Sequence, residues 1–159
     1  MDDLMMLFQG SLIRRESVSD ILSVNGTTVQ TGLVFTPRQA LALLQARDRA
    51  LMDSGRMEFG SGIVKKLILA FYDSPFFQNG QAVDTLESLL EIFYHMKNET
   101  FDTLYDDELI DFLRERFDGE CQGSMDLLRD DAFRHLARVA HGAAMEEGEA
   151  EENEEGKDE

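Results

Sequence analysis

Cys121 is the only cysteine in the chain, and a thiol is the side chain best suited to act as a nucleophile. It lies between Gly119 and Gly123, with the acidic residues Asp118 and Glu120 close by in the sequence. A reactive thiolate needs a nearby base, cation or helix N-terminus. The acidic neighbours instead raise the pKa of a thiol, so the pattern favours a buried packing residue over a nucleophile. The two glycines are then predicted to serve helix ends, Gly119 as a C-cap with positive φ and Gly123 in a tight turn.

A row of metal-binding side chain types occurs at Glu91, His95 and Glu99. Residues four apart share one face of a helix, so these three could meet at one ion. Di-iron bundles instead place Glu and His three residues apart and repeat that motif on a second helix. The sequence has no Glu-x-x-His. The row therefore favours a solvated helix face, and we predict no metal site and no cofactor.

An acidic cluster follows closely. Its members are Asp102, Asp106, Asp107, Glu108 and Asp111. Calcium loops need alternating oxygen ligands, a central Gly and a final Glu, and this pattern is missing. Because negative side chains are favourable at the positive N-terminal end of a helix, the cluster predicts a helix start. Weak binding of a divalent ion is left open as the alternative.

The loop "GRMEFGSG", residues 55–62, is the most unusual stretch. Three glycines ahead of a helix can cradle an anion on exposed N–H groups. The loop lacks the Gly-Lys-Ser/Thr ending of a P-loop, and no strand is predicted before it. Two alternatives remain. In one, Met57 and Phe59 fill the core while Arg56 and Glu58 face water; in the other, Arg56 and Glu58 form a binding surface.

Sequence motifs of enzymes are missing as well. The chain contains no Gly-x-Ser-x-Gly, no His-Glu-x-x-His and no Cys-x-x-Cys. We therefore assign no catalytic residue, although a triad assembled in space stays open because such triads have no fixed sequence order.

Composition limits the partners. The 159 residues are 43% hydrophobic and carry a net charge of −17, of which residues 146–159 contribute −8 with nine acids and one lysine. Residues 1–145 therefore hold −9 and are predicted to form a single domain, followed by a disordered acidic tail at 146–159. Such an acidic surface is a poor partner for nucleic acids and for anionic membranes. One cysteine, an acidic N-terminus and no long apolar run favour a cytoplasmic protein.

The body is predicted to be an all-α, compact, bundle-like domain of about five helices. Thr36 followed by Pro37 is a typical helix start, and this first long helix is predicted from Pro37 to Asp53. The second follows Gly62 and is apolar nearly all round, as is typical of the centre of a bundle. The third begins near residues 84–85, the fourth near residues 105–106 and the fifth at Ser124. The predicted inner faces are Ala40, Leu41, Leu44, Leu51 and Met52 in the first, Val83, Leu86, Leu89, Leu90, Phe93 and Tyr94 in the third, Leu109, Ile110, Leu113 and Phe117 in the fourth, and Leu128, Phe133, Leu136 and Ala140 in the fifth.

The first 35 residues give weaker signals. Residues 4–15 suit a helix. Asn25-Gly26 is a strong hairpin turn signal, but its flanks do not alternate cleanly between apolar and polar residues. A short helix followed by an irregular link through Gly32 is therefore preferred over a hairpin for residues 17–35.

Two stretches carry a resemblance to a known family: "GLVFTPRQALALLQARDRALMDSGRMEFGSGIVKKLILAFYDSPFF", residues 32–77, and "YDDELIDFLRERFDGECQGSMDLL", residues 105–128. Together they resemble a family of small uncharacterised bacterial proteins found mainly in Firmicutes, a domain of unknown function. The resemblance covers roughly residues 32 to 137. It implies a bacterial cytoplasmic setting but no activity, ligand or functional residue.

Three hypotheses about function follow. The leading one is a small cytoplasmic helical protein that binds another protein, for which a basic partner suits the acidic body and tail. The alternative is a small hydrolase or ligand-binding enzyme that uses a divalent metal or Cys121. The third is an acidic mimic of nucleic acid. The oligomeric state is left open.

Overall fold

The computed structural model describes residues 15–58 and 62–134. Several predictions concern residues outside these ranges: the helix at 4–15, the side chain of Phe59, the inner residues Leu136 and Ala140, and the acidic tail.

The described residues are α-helical, apart from turns and two short 3₁₀ segments, and no strand occurs among them. This confirms the all-α fold. The helices are α1 (Val18–Leu22), α2 (Asn25–Thr28), α3 (Pro37–Asp53), α4 (Ile63–Phe71), α5 (Ala82–Glu99), α6 (Asp106–Asp118) and α7 (125–134, followed to the end of the described range). The five predicted helices correspond to α3 to α7. Within the described ranges, no helix combines the length and apolarity needed to cross a membrane.

Helix α3 begins and ends where the sequence predicts. The Thr36 hydroxyl accepts a hydrogen bond from the backbone N–H of Gln39 at 3.1 Å, and the Gln39 side chain accepts one from Thr36 N–H at 2.9 Å. This reciprocal pair satisfies two N–H groups that have no partner inside the helix.

The inner face of α3 is only partly as predicted. Leu41 is 48% exposed and Met52 is 79% exposed, so both predictions are wrong. Arg47 instead lies on the buried face. The inner face is predicted from apolar residues alone, which places every charged residue in solvent. An arginine can nevertheless be buried where hydrogen-bond acceptors surround its guanidinium.

Helix α4 lies at the centre of the domain, which confirms the prediction from its composition. It packs against α1, α3, α5 and α6. Its buried residues are Ile63, Val64, Leu67, Ile68 and Phe71. The ring of Phe71 meets that of Phe117 on α6 edge to face, with centroids 5.2 Å apart. The predicted inner faces of α5 and α6 are buried, except that Val83 is only half-buried.

Residues 18–31 form α1, α2 and a short 3₁₀ segment, and residues 33–35 are irregular, so the hairpin alternative is wrong. Ser17 caps α1, and α2 contains the Asn-Gly pair. The Asn25 side chain donates to the carbonyl of Phe35 at 2.9 Å and accepts from its N–H at 2.8 Å. Asn25 thus links α2 to the segment that precedes α3 and is not part of a tight hairpin turn.

The connection between α6 and α7 corrects one glycine. Gly119 ends α6 as predicted, but its φ is −87°, not positive. The left-handed conformation occurs instead at Gln122 (φ 47°) and Gly123 (φ 83°). Ser124 caps α7, and its hydroxyl accepts from the N–H of Leu127 at 3.3 Å. The turn needs its positive φ where the chain reverses towards α7, four and five residues after the last residue of α6.

Candidate binding surface around Arg56

Arg56 joins three segments of the chain. Its guanidinium donates to Glu58 Oε1 at 2.6 Å, to Asp102 Oδ1 at 2.6 Å and to Asn98 Oδ1 at 2.8 Å. The Asn98 amide in turn donates to the carbonyl of Ser54 at 2.9 Å. The arginine therefore holds the loop after α3 against the C-terminal end of α5.

These contacts contradict the first of the two alternatives for the loop, in which the charged side chains face water. The side chains of Arg56 and Glu58 are only 15% and 18% exposed, whereas Met57 is 82% exposed. The prediction that Met57 fills the core while its charged neighbours face water is wrong. Several acceptors around the guanidinium of Arg56 compensate for its partial burial. Arg56 can therefore turn inward, and Met57 is left facing solvent.

Asp102 reaches Arg56 through a backbone of uncommon geometry. Phe101 and Asp102 have φ values of 54° and 57°, in the left-handed region. Left-handed residues often close a helix C-terminus, and here the N–H of Asp102 donates to the carbonyl of Lys97 at 2.9 Å. Asp tolerates this conformation, but Phe does so at a cost of roughly 1 kcal/mol or more. Hydrogen bonding from Arg56 lowers the pKa of Asp102 and raises the pKa of the guanidinium.

An open groove of about 380 Å³ adjoins this cluster. We call it the Arg56 surface. Its lining residues are Arg15, Asp48, Leu51, Met52, Arg56, Met57 and Glu58. Two exposed methionines, Met52 and Met57, thus stand beside charged groups that are paired within the protein.

Glu16 lies behind the groove, in a small cavity that shares Arg15, Leu51 and Glu58 with it. The Glu16 side chain is 2% exposed. Its carboxylate accepts hydrogen bonds from the N–H groups of Val64 at 3.0 Å and Lys65 at 2.7 Å. It therefore caps α4 from a distant part of the chain. Burial raises the pKa of Glu16, and the α4 N–H groups and Arg47 oppose this effect.

Arg47 lines the small cavity behind the groove, next to Glu16. One guanidinium nitrogen lies 3.8 Å from Glu16 Oε1, and another donates to Asp48 Oδ1 at 2.8 Å. Arg15 reaches the same Asp48 oxygen at 3.1 Å. Hydrogen bonds and ion pairs beneath the groove thus join the segment before α1 to α3 and to the first turn of α4.

Cys121 is buried, with 2% of its surface exposed, as predicted for a packing residue. Burial raises the pKa of its thiol, and Asp131 and Glu120 raise it further, while Arg116 opposes them. A groove of about 350 Å³ lies beside it, lined by Glu120, Cys121, Leu127, Asp130, Asp131 and Arg134. Nothing in this geometry activates the thiol as a nucleophile.

We expect slow thiol labelling of the native protein. At pH 8, Ellman's reagent should react with Cys121 at least about tenfold more slowly in the native protein than in the urea-unfolded chain, because the native thiol is buried and its pKa is raised. Stopped-flow absorbance measures both rates. Equal rates would contradict the structural role of Cys121.

The predicted helix face at Glu91, His95 and Glu99 is solvated. His95 and Glu99 are 46% and 45% exposed, with Nε2 of His95 3.6 Å from Oε1 of Glu99, and Glu91 faces Arg129 at 3.4 Å. The His95 ring packs on Phe133, with centroids 4.2 Å apart. In residues 15–58 and 62–134, no group of three or more His, Cys, Asp or Glu side chains is placed to hold a metal ion.

The acidic cluster is divided among several structural contacts. Asp106, Asp107 and Glu108 lie in the first turn of α6, as predicted for a helix start. The Glu108 carboxylate accepts from the N–H of Tyr105 at 3.0 Å. Asp102 instead pairs with Arg56, and Asp106 lies 2.9 Å from the nearly buried Lys97.

Sequence reasoning chose Arg56 and Glu58 but missed their surroundings. Asn98 and Asp102 are 42 and 46 residues away from Arg56, and Glu16 is 48 residues away from Val64. No local pattern indicates such pairings. The exposed Met52 was also missed, because its spacing along α3 assigns it to the core.

Comparison with known proteins identifies the family of the chain. No match was found among curated proteins or among solved structures. A family model described as "Family of unknown function (DUF6323)" matches residues 20–145, which is most of the chain and extends beyond the two stretches that carry the resemblance. The chain therefore belongs to this family of unknown function, DUF6323.

Proposed function

We propose that the protein works by binding another protein through the Arg56 surface. The observation that carries this proposal is the pair of exposed methionines, Met52 at 79% and Met57 at 82%, on a groove whose base is fixed by ion pairs. Methionine is flexible and polarisable, and methionine-rich surfaces adapt to partner side chains. Exposed apolar area next to a rigid base is typical of an interaction site.

The same proposal includes the setting. We place the protein in the bacterial cytoplasm, which is supported by its single, buried cysteine and by the resemblance to bacterial sequences. The segment 146–159 follows the end of the family match, and we propose that its acidic side chains aid solubility.

Site-specific photocrosslinking tests the surface. A benzophenone amino acid replaces Met57 in the full chain, and a control variant carries it at Leu127, which is 52% exposed beside the Cys121 groove. After irradiation in cells, we expect a discrete adduct from position 57 only. The partner peptide is then identified by mass spectrometry.

A second variant makes the result specific. Adding Met52→Gln to the position-57 chain is expected to reduce the adduct about tenfold, since a central contact residue is worth roughly this much. Adducts of equal yield at positions 57 and 127, or an adduct insensitive to Met52→Gln, would show that this groove is not the binding site.

A further inference from the structure

The charges around the Arg56 surface are layered. Three cations lie beneath the surface, with side-chain exposures of 9% for Arg47, 15% for Arg56 and 9% for Lys97. Their exposed carboxylate partners are Asp48, at 49%, and Asp102, at 53%. Their other carboxylate partners are buried or partly buried: Glu16, Glu58 and Asp106.

This layering makes the surface more negative than a count of charges indicates. A group approaching from solvent meets the exposed carboxylates first, while the cations below are shielded by side chains and already hydrogen-bonded. Arg15 is an exposed cation on the groove at 54%, and its guanidinium pairs with Asp48. The net charge of −9 over residues 1–145 adds a long-range field of the same sign.

Exposed apolar side chains also occur near the exposed carboxylates of Asp48 and Asp102. Met52 and Met57 stand on the groove, and Phe101 is 75% exposed immediately before Asp102. Asp102 is hydrogen-bonded to Arg56, so Phe101 and Met57 are the chain neighbours of the two residues of one ion pair, with Phe101 outside the lining of the groove. The surface therefore combines apolar contact area with outward-facing carboxylates.

From this arrangement we infer that the partner presents a basic amphipathic helix to the Arg56 surface, with large apolar side chains between Met52 and Met57 and Lys or Arg beside Asp48 and Asp102. This inference rests on the proposed function and specifies the partner's chemistry. A helix suits the site because the described ranges contain no strand edge that could pair with an extended peptide. A second copy of the chain is disfavoured, since it carries the same charge of −17.

Synthetic peptides test the inference directly. Three fluorescein-labelled helical peptides of equal length are titrated with the full chain by fluorescence anisotropy at physiological salt. The Lys/Leu peptide is built from lysine and leucine, with Leu at i, i+3, i+4 and i+7. The Glu/Leu peptide keeps these leucines and replaces each lysine with glutamate, and the Lys/Gln peptide keeps the lysines and replaces each leucine with glutamine. We expect the Lys/Leu peptide to bind at least about tenfold more tightly than either other peptide, since it alone supplies both apolar and positive groups.

Protein variants locate the binding. The double variant Met52→Gln/Met57→Gln should raise the dissociation constant of the Lys/Leu peptide about tenfold. The control Leu127→Gln, which replaces an exposed leucine beside Asp130 and Asp131, should change this constant less than about twofold. Equal binding of Lys/Gln and Lys/Leu, or no effect of the double variant, overturns the inference, because the acidic tail or another acidic patch then accounts for binding.

The two proposals fail separately. A position-57 crosslink to a partner segment that is acidic, or that lacks large apolar residues, overturns the basic-helix inference and leaves protein binding at this groove intact. Loss of the position-57 crosslink itself removes the proposed function and the inference with it.

Discussion

Replacing Glu16 with alanine is expected to lower the free energy of unfolding by about 3 kcal/mol at pH 7. The carboxylate is the acceptor for the N–H groups of Val64 and Lys65, and Gly62, the N-cap residue of α4, has no side chain to replace it. Alanine leaves the buried N–H of Val64 and the part-buried N–H of Lys65 without this acceptor, and it removes a negative charge beside the buried Arg47. Urea unfolding followed by circular dichroism gives the change in midpoint, provided that the slope is unchanged.

Arg15→Ala is the matched control for this effect. Arg15 is the preceding residue, and its ion pair with Asp48 joins side chains that are 54% and 49% exposed. Such exposed pairs contribute about 0–1 kcal/mol, so this variant should remain close to the wild type in stability. Equal losses in the two variants would mean that Glu16 is not the cap of α4.

The pH dependence of the Glu16→Ala loss has a definite sign. Burial raises the pKa of Glu16 above its ordinary value of 4.5. The folded chain therefore binds this proton more readily than the unfolded chain, so ionising the buried carboxylate costs part of the stability that Glu16 supplies. That part is fully present below the unfolded pKa and is lost as pH rises through the folded pKa. The difference between wild type and Glu16→Ala should thus grow as pH is lowered from 7 towards 4.5.

Gly123→Ala is expected to destabilise the protein by about 2–4 kcal/mol, from left-handed strain together with a steric clash. The residue has φ +83°, and a Cβ built on it lies 2.7 Å from the Cβ of Phe76 and 3.1 Å from the Phe76 carbonyl oxygen. Neither of these atoms can rotate away, so the connection between α6 and α7 must shift. Thermal or urea unfolding measures the loss.

Two other glycines separate strain from clash. Gly55 has φ +65° but no described heavy atom within 4 Å of a built Cβ, so Gly55→Ala should cost only about 1 kcal/mol. Gly26 has ordinary φ and open space, so Gly26→Ala should be neutral or slightly stabilising. If Gly123→Ala ranks with Gly55→Ala, the close approach of Phe76 is not what restricts this position.

The elements that could be predicted are those specified by short-range chemistry. Thr36, Pro37 and Gln39 lie within one turn, and their reciprocal hydrogen bonds define the start of α3 from local sequence alone. The composition of α4 likewise gives its central position, because a helix with apolar residues on most sides must be covered by others. Cys121 could be assigned to packing because its acidic neighbours disfavour a thiolate.

The predictions that failed depend on contacts between distant residues. Arg47 lies on the buried face of α3 because Glu16 and Asp48 surround its guanidinium, and periodicity carries no information on Glu16. Met57 is exposed because Arg56 finds its acceptors on α5 and beyond it. Asn25-Gly26 fails as a hairpin signal because the Asn25 amide binds Phe35, ten residues away. In each case a single side chain that crosses between segments decides the geometry.

The distant cap on α4 also constrains the order in which the protein folds. Nine residues is too short for a helix to be stable alone in water, so α4 gains little population before it packs. Its first turn is completed only when residue 16 has returned across 48 residues of chain, and the entropy of closing that loop is lost before the hydrogen bonds form. We therefore expect the central helix to form late in folding, together with the core that surrounds it, and φ-values close to zero for substitutions in α4 would be the corresponding measurement.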